Sequence, residues 1–226
     1  QRDGALTEYI VVPWQKLYGS EKLSLRELAL VEPLTVGFHA ADRGGVGESD
    51  TVAVFGCGAI GLGAIAAANW RRARVIAIDV DDAKLELARR TGAAEVVNSS
   101  RHELHAELQR LTRGGPDVVI EAAGNPRAQG SCPSLARKGG TVVWFGVAPQ
   151  DHMVEVSPFW VNENELRVQG SYNNQFATGR AVRLLAEGRV RVDNLISHRL
   201  ELRDYPQVFR LFGGAGTLKL MVTMGD

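Results

Sequence analysis

Residues Val52–Asp79 read VAVFGCGAIGLGAIAAANWRRARVIAID: an apolar run, a glycine-rich turn, a run of small residues, and a second apolar run closed by an acid. Gly56, Gly58 and Gly61 form G-x-G-x-x-G directly after an expected strand and at the start of an expected helix. Each glycine then has a physical task. The first permits a tight turn, the second lets a pyrophosphate approach the backbone, and the third lets helix pack on strand. The helix N-terminus adds free amide hydrogens and a positive dipole for phosphates. The same glycines would also arise from helix packing alone. The agreement of strand, turn, helix and following strand favours dinucleotide binding.

Asp79 closes the second run, where a carboxylate accepts both ribose hydroxyls of an adenosine and repels a 2′-phosphate. That points to NAD over NADP. Lys84 reads equally as a neighbour of that ribose or as a solvated helix residue. Arg71, Arg72 and Arg74 fall on the helix-to-strand turn, where charge is usually solvent-facing, so they do not outweigh the acid.

Outward from this unit, short β-rich runs alternate with helical ones. Strands are expected over Thr51–Phe55, Arg74–Asp79, Glu95–Asn98, Asp117–Glu121, Thr141–Gly146 and Glu165–Gly170, mostly apolar throughout and therefore buried on both faces. Between them, residues 61–72, 81–93, 100–115 and 125–140 read as helices, the last weakened by Gly130 and Pro133. This is the α/β pattern of a doubly wound, six-stranded parallel Rossmann sheet. Residues 1 to about 30 read as short strands and turns (LTEYIVVP, QKLYGS), followed by a helix-like LSLRELAL. After a helix over Thr178–Glu187, LISHRL and LKLMVTM read as strands separated by an amphipathic helix from Leu202 to Phe212. The two flanks look like pieces of one further domain that the nucleotide domain interrupts.

With 26 basic and 26 acidic residues, the net charge is zero, and the footprint of a nucleic-acid or membrane-surface binder is missing. A small molecule is the expected partner. The longest apolar run, around Ile60–Ala68, falls far short of the roughly 20 residues of a membrane span. Cys57 and Cys132 are too few for a disulfide framework, which fits a reducing cytoplasm. The opening QRDGALTEYIVV is in mid-pattern and reads as an internal start.

Taken together, EPLTVGFHAADRGGV (Glu32–Val46), GCGAIGLG, LISHR and TLKLMV resemble the zinc-dependent medium-chain alcohol dehydrogenases, the sorbitol and other polyol dehydrogenases among them. The resemblance covers nearly all of the chain, and E-P-L-x-V-G is more specific than the glycine motif. It implies a Rossmann domain over 36–188, flanked by pieces of a mostly β, GroES-like catalytic domain over 1–35 and 189–226. It also implies NAD and zinc as cofactors and a homodimer or homotetramer. In that family zinc acts as a Lewis acid on the alcohol oxygen while hydride passes to the nicotinamide. The family's earlier zinc ligands, a cysteine and a His-Glu pair, have no counterpart here and are expected upstream of residue 1.

Carried over residue by residue, the resemblance makes Glu32 and Thr35 the catalytic candidates. Glu32 faces the zinc directly or through water, or else serves only as a helix N-terminal acid. Val36 lies near the nicotinamide, and Ile60 is an apolar cofactor contact or a core residue. Ala123, Gly124, Phe145, Gly146 and Val147 sit at carboxyl ends of strands, where ligands bind in open α/β sheets. Lys219 matches a basic position near the pyrophosphate or is ordinary surface charge. After Gly170 the family's sorbitol-type members carry an arginine and an aromatic, whereas this chain has GSYNNQF. Ser171, Tyr172 and Asn173 fall on the cofactor side of that segment, and Asn173 and Asn174 on the substrate side. Neutral amides recognise hydroxyls but attract anions weakly.

Other constellations carry less. His102 and His105 are close on one helix without further ligands, His198 reads as structural, and Tyr18/Lys22 have short-chain dehydrogenase spacing but precede the glycine motif. Arg72 occupies a helix end where the family commonly has glycine. The reading is an NAD-dependent, zinc-assisted dehydrogenase oxidising a secondary alcohol of polyol or sugar type. The alternatives are a zinc-free NADPH-dependent quinone or enone reductase and a non-enzymatic nucleotide-binding protein.

Overall fold

Val52 and Val54 point to one side of the sheet and Ala53 to the other, and this period-two alternation divides the protein into two cores. The computed structural model describes residues 4, 6–172, 177–192, 195–214 and 216–224. The strands are β1 (Thr51–Phe55), β2 (Arg74–Asp79), β3 (Glu95–Asn98), β4 (Val118–Glu121), β5 (Thr141–Trp144) and β6 (Arg167–Gly170). They form one parallel six-stranded sheet in the order β3-β2-β1-β4-β5-β6. The order reverses between β1 and β4, and in doubly wound sheets ligands bind outside the carboxyl ends at that switch.

One face of the sheet is covered by α2 (Val31–Gly44), α3 (Ala59–Trp70), α4 (Asp82–Thr91) and α8 (Thr178–Ala186), which supply Phe38, Leu62, Ile65, Leu85 and Leu184 to the core. The other is covered by α5 (Leu104–Thr112) and α6 (Pro126–Leu135), which bury Leu108, Cys132 and Leu135 against Ile76, Ile78, Val119 and Val142. Each such side chain contributes about 1.5–3 kcal/mol by leaving water. Among the described residues no helix is long and apolar enough to cross a membrane.

A helix starting near Glu32 was expected only as the alternative to that residue's zinc role, and the full run of α2 over Val31–Gly44 was not expected. Its apolar Leu34, Phe38 and Ala41 do have helical spacing, but Pro33 and Gly37 obscure it. Pro33 falls in the first turn, where its missing N–H is harmless. Gly37 is where α2 crosses α3, for a Cβ there would lie 2.3 Å from the Gly63 carbonyl carbon. Asp42 holds this layer together by pairing with Arg71 of the α3 end and with Arg180 of α8. The Arg180 guanidinium also sits 5.3 Å over the Phe38 ring. Arg43 Nε donates to the Gly170 carbonyl (3.0 Å), which fastens α2 to the edge strand β6.

Strand ends differ from the expectation for local reasons. β5 stops at Trp144 because the amides of Phe145 and Gly146 turn back onto the Glu121 carbonyl (2.9 and 2.7 Å). Asp117 is a clasp before β4: its carboxylate accepts from the Thr51 amide (2.7 Å) and from Arg137 Nε (2.6 Å). β6 begins after Glu165, whose φ of 51° breaks the extended run.

The flanks depart further. Residues 6–20 contain no strand, only a 3-10 turn over Trp14–Lys16, since no described strand pairs with them; Tyr9 and Val11 are 87% and 94% exposed. A short α1 (Leu25–Leu28) forms instead of a longer helix, closed by a capping box between Ser24 and Glu27. α7 (Pro158–Glu163), also unexpected, starts from a Ser157 cap. LISHRL and LKLMVTM do pair, as β7 (Ile196–Glu201) and β8 (Lys219–Thr223), in a separate parallel two-stranded sheet. The helix expected between them is split into a 3-10 turn (Leu202–Asp204) and α9 (Pro206–Leu211), because Pro206 starts a new helix and cannot continue the old one.

Arg72 turns from α3 into β2 at φ 63°, a left-handed conformation that strains side chains other than glycine. Its ion pair with Glu48 is 3.3 Å long between two exposed side chains and contributes little. Arg72→Gly is therefore expected to raise unfolding stability by about 0.5–1 kcal/mol, read as a higher denaturation midpoint at unchanged slope.

Candidate nucleotide site

Three glycines shape the mouth of the switch point in three ways. Gly56 adopts φ 94° and donates to the Ile78 carbonyl at 2.7 Å, so the chain leaves β1 toward β2. Gly61 lies so close beneath that a Cβ would stand 1.8 Å from the Gly56 oxygen. Gly58 is the N-cap of α3 and differs from both: a Cβ there would meet nothing within 4 Å. The space before it is open while the α3 amides point outward, which is a cradle for an anionic group. Leu62 N–H already bonds to the Gly58 carbonyl (2.9 Å), so the first turn is formed.

Asp79 stands beside this turn at the end of β2, almost wholly buried. One carboxylate oxygen accepts from the Cys57 amide (2.7 Å) and the other from Val80 and Asp81 amides (2.8 and 3.1 Å). The acid therefore clips the glycine turn to the β2–α4 loop. Its two oxygens offer about four acceptor sites, which leaves capacity beyond those three amides. Lys84, in the first turn of α4, is near enough for its charge to act on Cys57. Burial, reinforced by the Asp79 charge, pushes the Cys57 thiol up to about 12, so it is a packing residue and not a nucleophile.

A cavity of about 740 Å³ opens from Gly56 and Asp79 across the ends of β3 and β4. Val80, Ser100, His102, Ala123 and Arg127 are among its walls. Asn98, buried at the end of β3, braces the region by donating to the Val80 carbonyl (3.2 Å) and to Asp82 (2.6 Å). His102 and His105, which the sequence suggested only as weak metal candidates, line this cavity. Their placement was readable in principle, because the residues after β3 must share the ligand edge with those after β1 and β2.

The remaining candidates scatter more. Gly124, Phe145, Gly146 and Val147 lie in the loops after β4 and β5; Phe145 is buried and Val147 is 75% exposed. Ile60 and Val36 are half-buried and pack against the larger core. Ser171 is buried after β6, Tyr172 is 79% exposed, and Asn173 and Asn174 lie outside the described residues. Lys219 opens β8 in the two-stranded sheet, away from the walls of the Asp79 cavity.

Glu32 is exposed in the first turn of α2, and the Thr35 hydroxyl donates to its carbonyl (2.6 Å). Among the described residues no three His, Cys, Asp or Glu side chains gather to hold a metal ion. The donors among those residues are too few to hold zinc by themselves. Glu121, fully buried at the end of β4, had no place in the sequence reading: a glutamate ending an apolar run resembles any strand terminus until the loops around it are seen.

A sequence model of the zinc-binding dehydrogenase family matches residues 59–187. A sorbitol dehydrogenase from Bacillus subtilis is 32% identical over 205 residues, covering 89% of this chain. The chain spans 58% of that relative's length. Among solved structures, a protein from Sinorhizobium meliloti 1021 assigned as a zinc-binding dehydrogenase, with NADP bound, superposes with a TM-score of 0.93 at 37% identity. An alcohol dehydrogenase from Escherichia coli CFT073, complexed with NADH, gives a TM-score of 0.91 at 26% identity. Each match covers 98% of this chain and 66% of the other.

Proposed function

This chain belongs to the zinc-binding dehydrogenase family, and from that premise we propose that it is the nucleotide-binding part of a nicotinamide-dependent dehydrogenase acting on a secondary alcohol of polyol or sugar type. The observation that carries the reading is the pairing of an open α3 N-cap at Gly58 with the buried Asp79 carboxylate on one cavity. Bound NAD supplies a nicotinamide ring that accepts hydride from the alcohol carbon. This chain's residues hold and orient it. Gly58 and the α3 amides take the pyrophosphate, Asp79 takes the ribose hydroxyls with Lys84 nearby, and Val80 and Ala123 border the adenine. The loops at Gly124, Phe145–Val147 and Ser171–Tyr172 border the nicotinamide half, and Asn173 is a proposed contact by resemblance alone. Glu32, Thr35, Val36 and Lys219 are proposed contacts by resemblance.

The preference for NAD rests on the charge of Asp79, which a 2′-phosphate would have to approach. The Sinorhizobium relative holds NADP, so the discriminating measurement compares both cofactors. The flanks 1–35 and 189–226 are proposed to join a catalytic domain around a Rossmann unit of 36–188, and zinc would need donors beyond those described. β6 is an edge strand, which suits pairing with a second copy in a homodimer or homotetramer. The buried free thiols Cys57 and Cys132 suit a cytoplasmic setting.

In the complete protein that carries this chain, NADH formation with sorbitol, xylitol and erythritol should exceed that with primary alcohols, and NAD should support faster turnover than NADP. NADPH-dependent reduction of a quinone or enone without polyol oxidation would establish the reductase alternative. NAD binding without turnover on any alcohol would establish a nucleotide-binding protein.

A further inference from the structure

Glu121 is a carboxyl with no exposed surface and, among the described residues, no ion pair. Burial pushes it above the usual carboxylate range, against the pull of the amides around it. Retaining an acid in such a place is expensive unless its shape or hydrogen bonds are used.

Its contacts show what it joins. Oε1 accepts from the amides of Ala123 (2.8 Å) and Gly124 (2.9 Å), folding the loop after β4 back over the strand end. Its main-chain carbonyl accepts from Phe145 and Gly146 (2.9 and 2.7 Å), folding the loop after β5 the same way. Among the described residues Oε2 has no hydrogen-bond partner, and it faces Gly146, where a Cβ would lie 2.8 Å from it and 2.1 Å from the Gly124 nitrogen. From α6, Gln129 Nε2 donates to the Gly146 carbonyl (2.9 Å), and the Trp144 indole donates to the Gln129 carbonyl (3.1 Å). The two loops are thus in backbone contact, with one side chain filling the space under both.

The loop after β4 carries Ala123, a wall of the Asp79 cavity, while the loop after β5 lies one strand further from β2. A dinucleotide spanning the switch point sets its adenosine on the β2 side and its second nucleotide on the β4–β5 side. We propose that Glu121 is a positioning residue that fixes the distance between the adenosine pocket and the loop beneath the second nucleotide, so that both halves of one dinucleotide are bound at once. This rests on the nucleotide reading above. Glu121 touches neither reacting atoms nor cofactor; it acts through the Ala123–Gly124 and Phe145–Gly146 backbones.

A residue that only stabilised the fold would affect both half-site and whole-site ligands alike. AMP and NADH binding to this chain therefore separate the roles, measured by titration calorimetry and NADH fluorescence. In Glu121→Ala, NADH affinity should fall about tenfold more than AMP affinity, about the loss of one well-made hydrogen bond in coupling the halves. Glu121→Gln, whose amide oxygen still accepts from both loop amides, should restore NADH to within about threefold of wild type. Glu121→Asp, one methylene shorter, no longer reaches the two loop amides and should show the same unequal loss, so the test stands even where Glu121→Ala does not fold. Equal losses of AMP and NADH in Glu121→Asp, or unchanged NADH binding in it, would overturn the proposal. Wild-type chain binding neither ligand would refute the nucleotide reading and this inference with it; AMP and NADH binding in wild type with equal losses in the variants would refute this inference alone.

Discussion

Gly61→Ala should cost about 3 kcal/mol or more of stability, while Gly58→Ala, three residues away, should cost under about 1 kcal/mol and yet remove NADH binding. At Gly61 the added methyl would stand 1.8 Å from the Gly56 oxygen and 2.9 Å from its carbonyl carbon, and both are backbone. Neither side can yield cheaply: Gly56 is tied to Ile78, and Gly61 lies in the first turn of α3, which is buried from Gly61 to Ala68. Domains are stable by only about 5–15 kcal/mol, so the loss will be plain in a denaturant titration. At Gly58 the methyl enters open space, and the fold loses only the preference of an N-cap for glycine over alanine. That open space is where the pyrophosphate is proposed to lie. Wild-type NADH affinity in a folded Gly58→Ala chain would mean that the phosphates sit elsewhere.

The second large effect is at Asp79. Replacing it with alanine strips the acceptor from the Cys57, Val80 and Asp81 amides, all partly or fully buried, and loosens the clip between two loops. Hydrogen bonds to a charged group contribute about 1.5–3 kcal/mol each, so NADH affinity should fall at least about tenfold. Asp79→Asn keeps the shape and one acceptor oxygen but loses the charge. It should retain most of the fold's stability while bringing the NADH and NADPH dissociation constants together, since the repulsion of a 2′-phosphate is what has been removed. An unchanged ratio of the two constants in Asp79→Asn would place the ribose away from this acid.

Much of the sheet was legible because its signals are local. Thr51–Phe55, Arg74–Asp79 and Glu95–Asn98 have the very limits expected, set by apolar runs bounded by glycine, acid or polar turns. What was not legible depends on partners. Phe145 and Gly146 are β-like in sequence, but the Glu121 carbonyl takes both amides and ends the strand. Residues 6–20 are β-like too, and without a pairing strand they are exposed. The length of α2 was hidden because Gly37, a poor helix residue in isolation, is what allows contact with Gly63. In the site, the glycine turn and Asp79 were readable from spacing, whereas Glu121 and the bracing Asn98 emerge only once the strand order sets their loops side by side.

The central claim is that one dinucleotide lies across the α3 N-terminus with its ribose on Asp79. Titrating this chain with NADH, followed by displacement with AMP and by a parallel titration with NADPH, tests it most directly. The account predicts saturable NADH binding, competitive displacement by AMP, and weaker binding of NADPH that Asp79→Asn brings level. NADH binding that AMP does not displace, or no saturable binding at millimolar NADH, would contradict it.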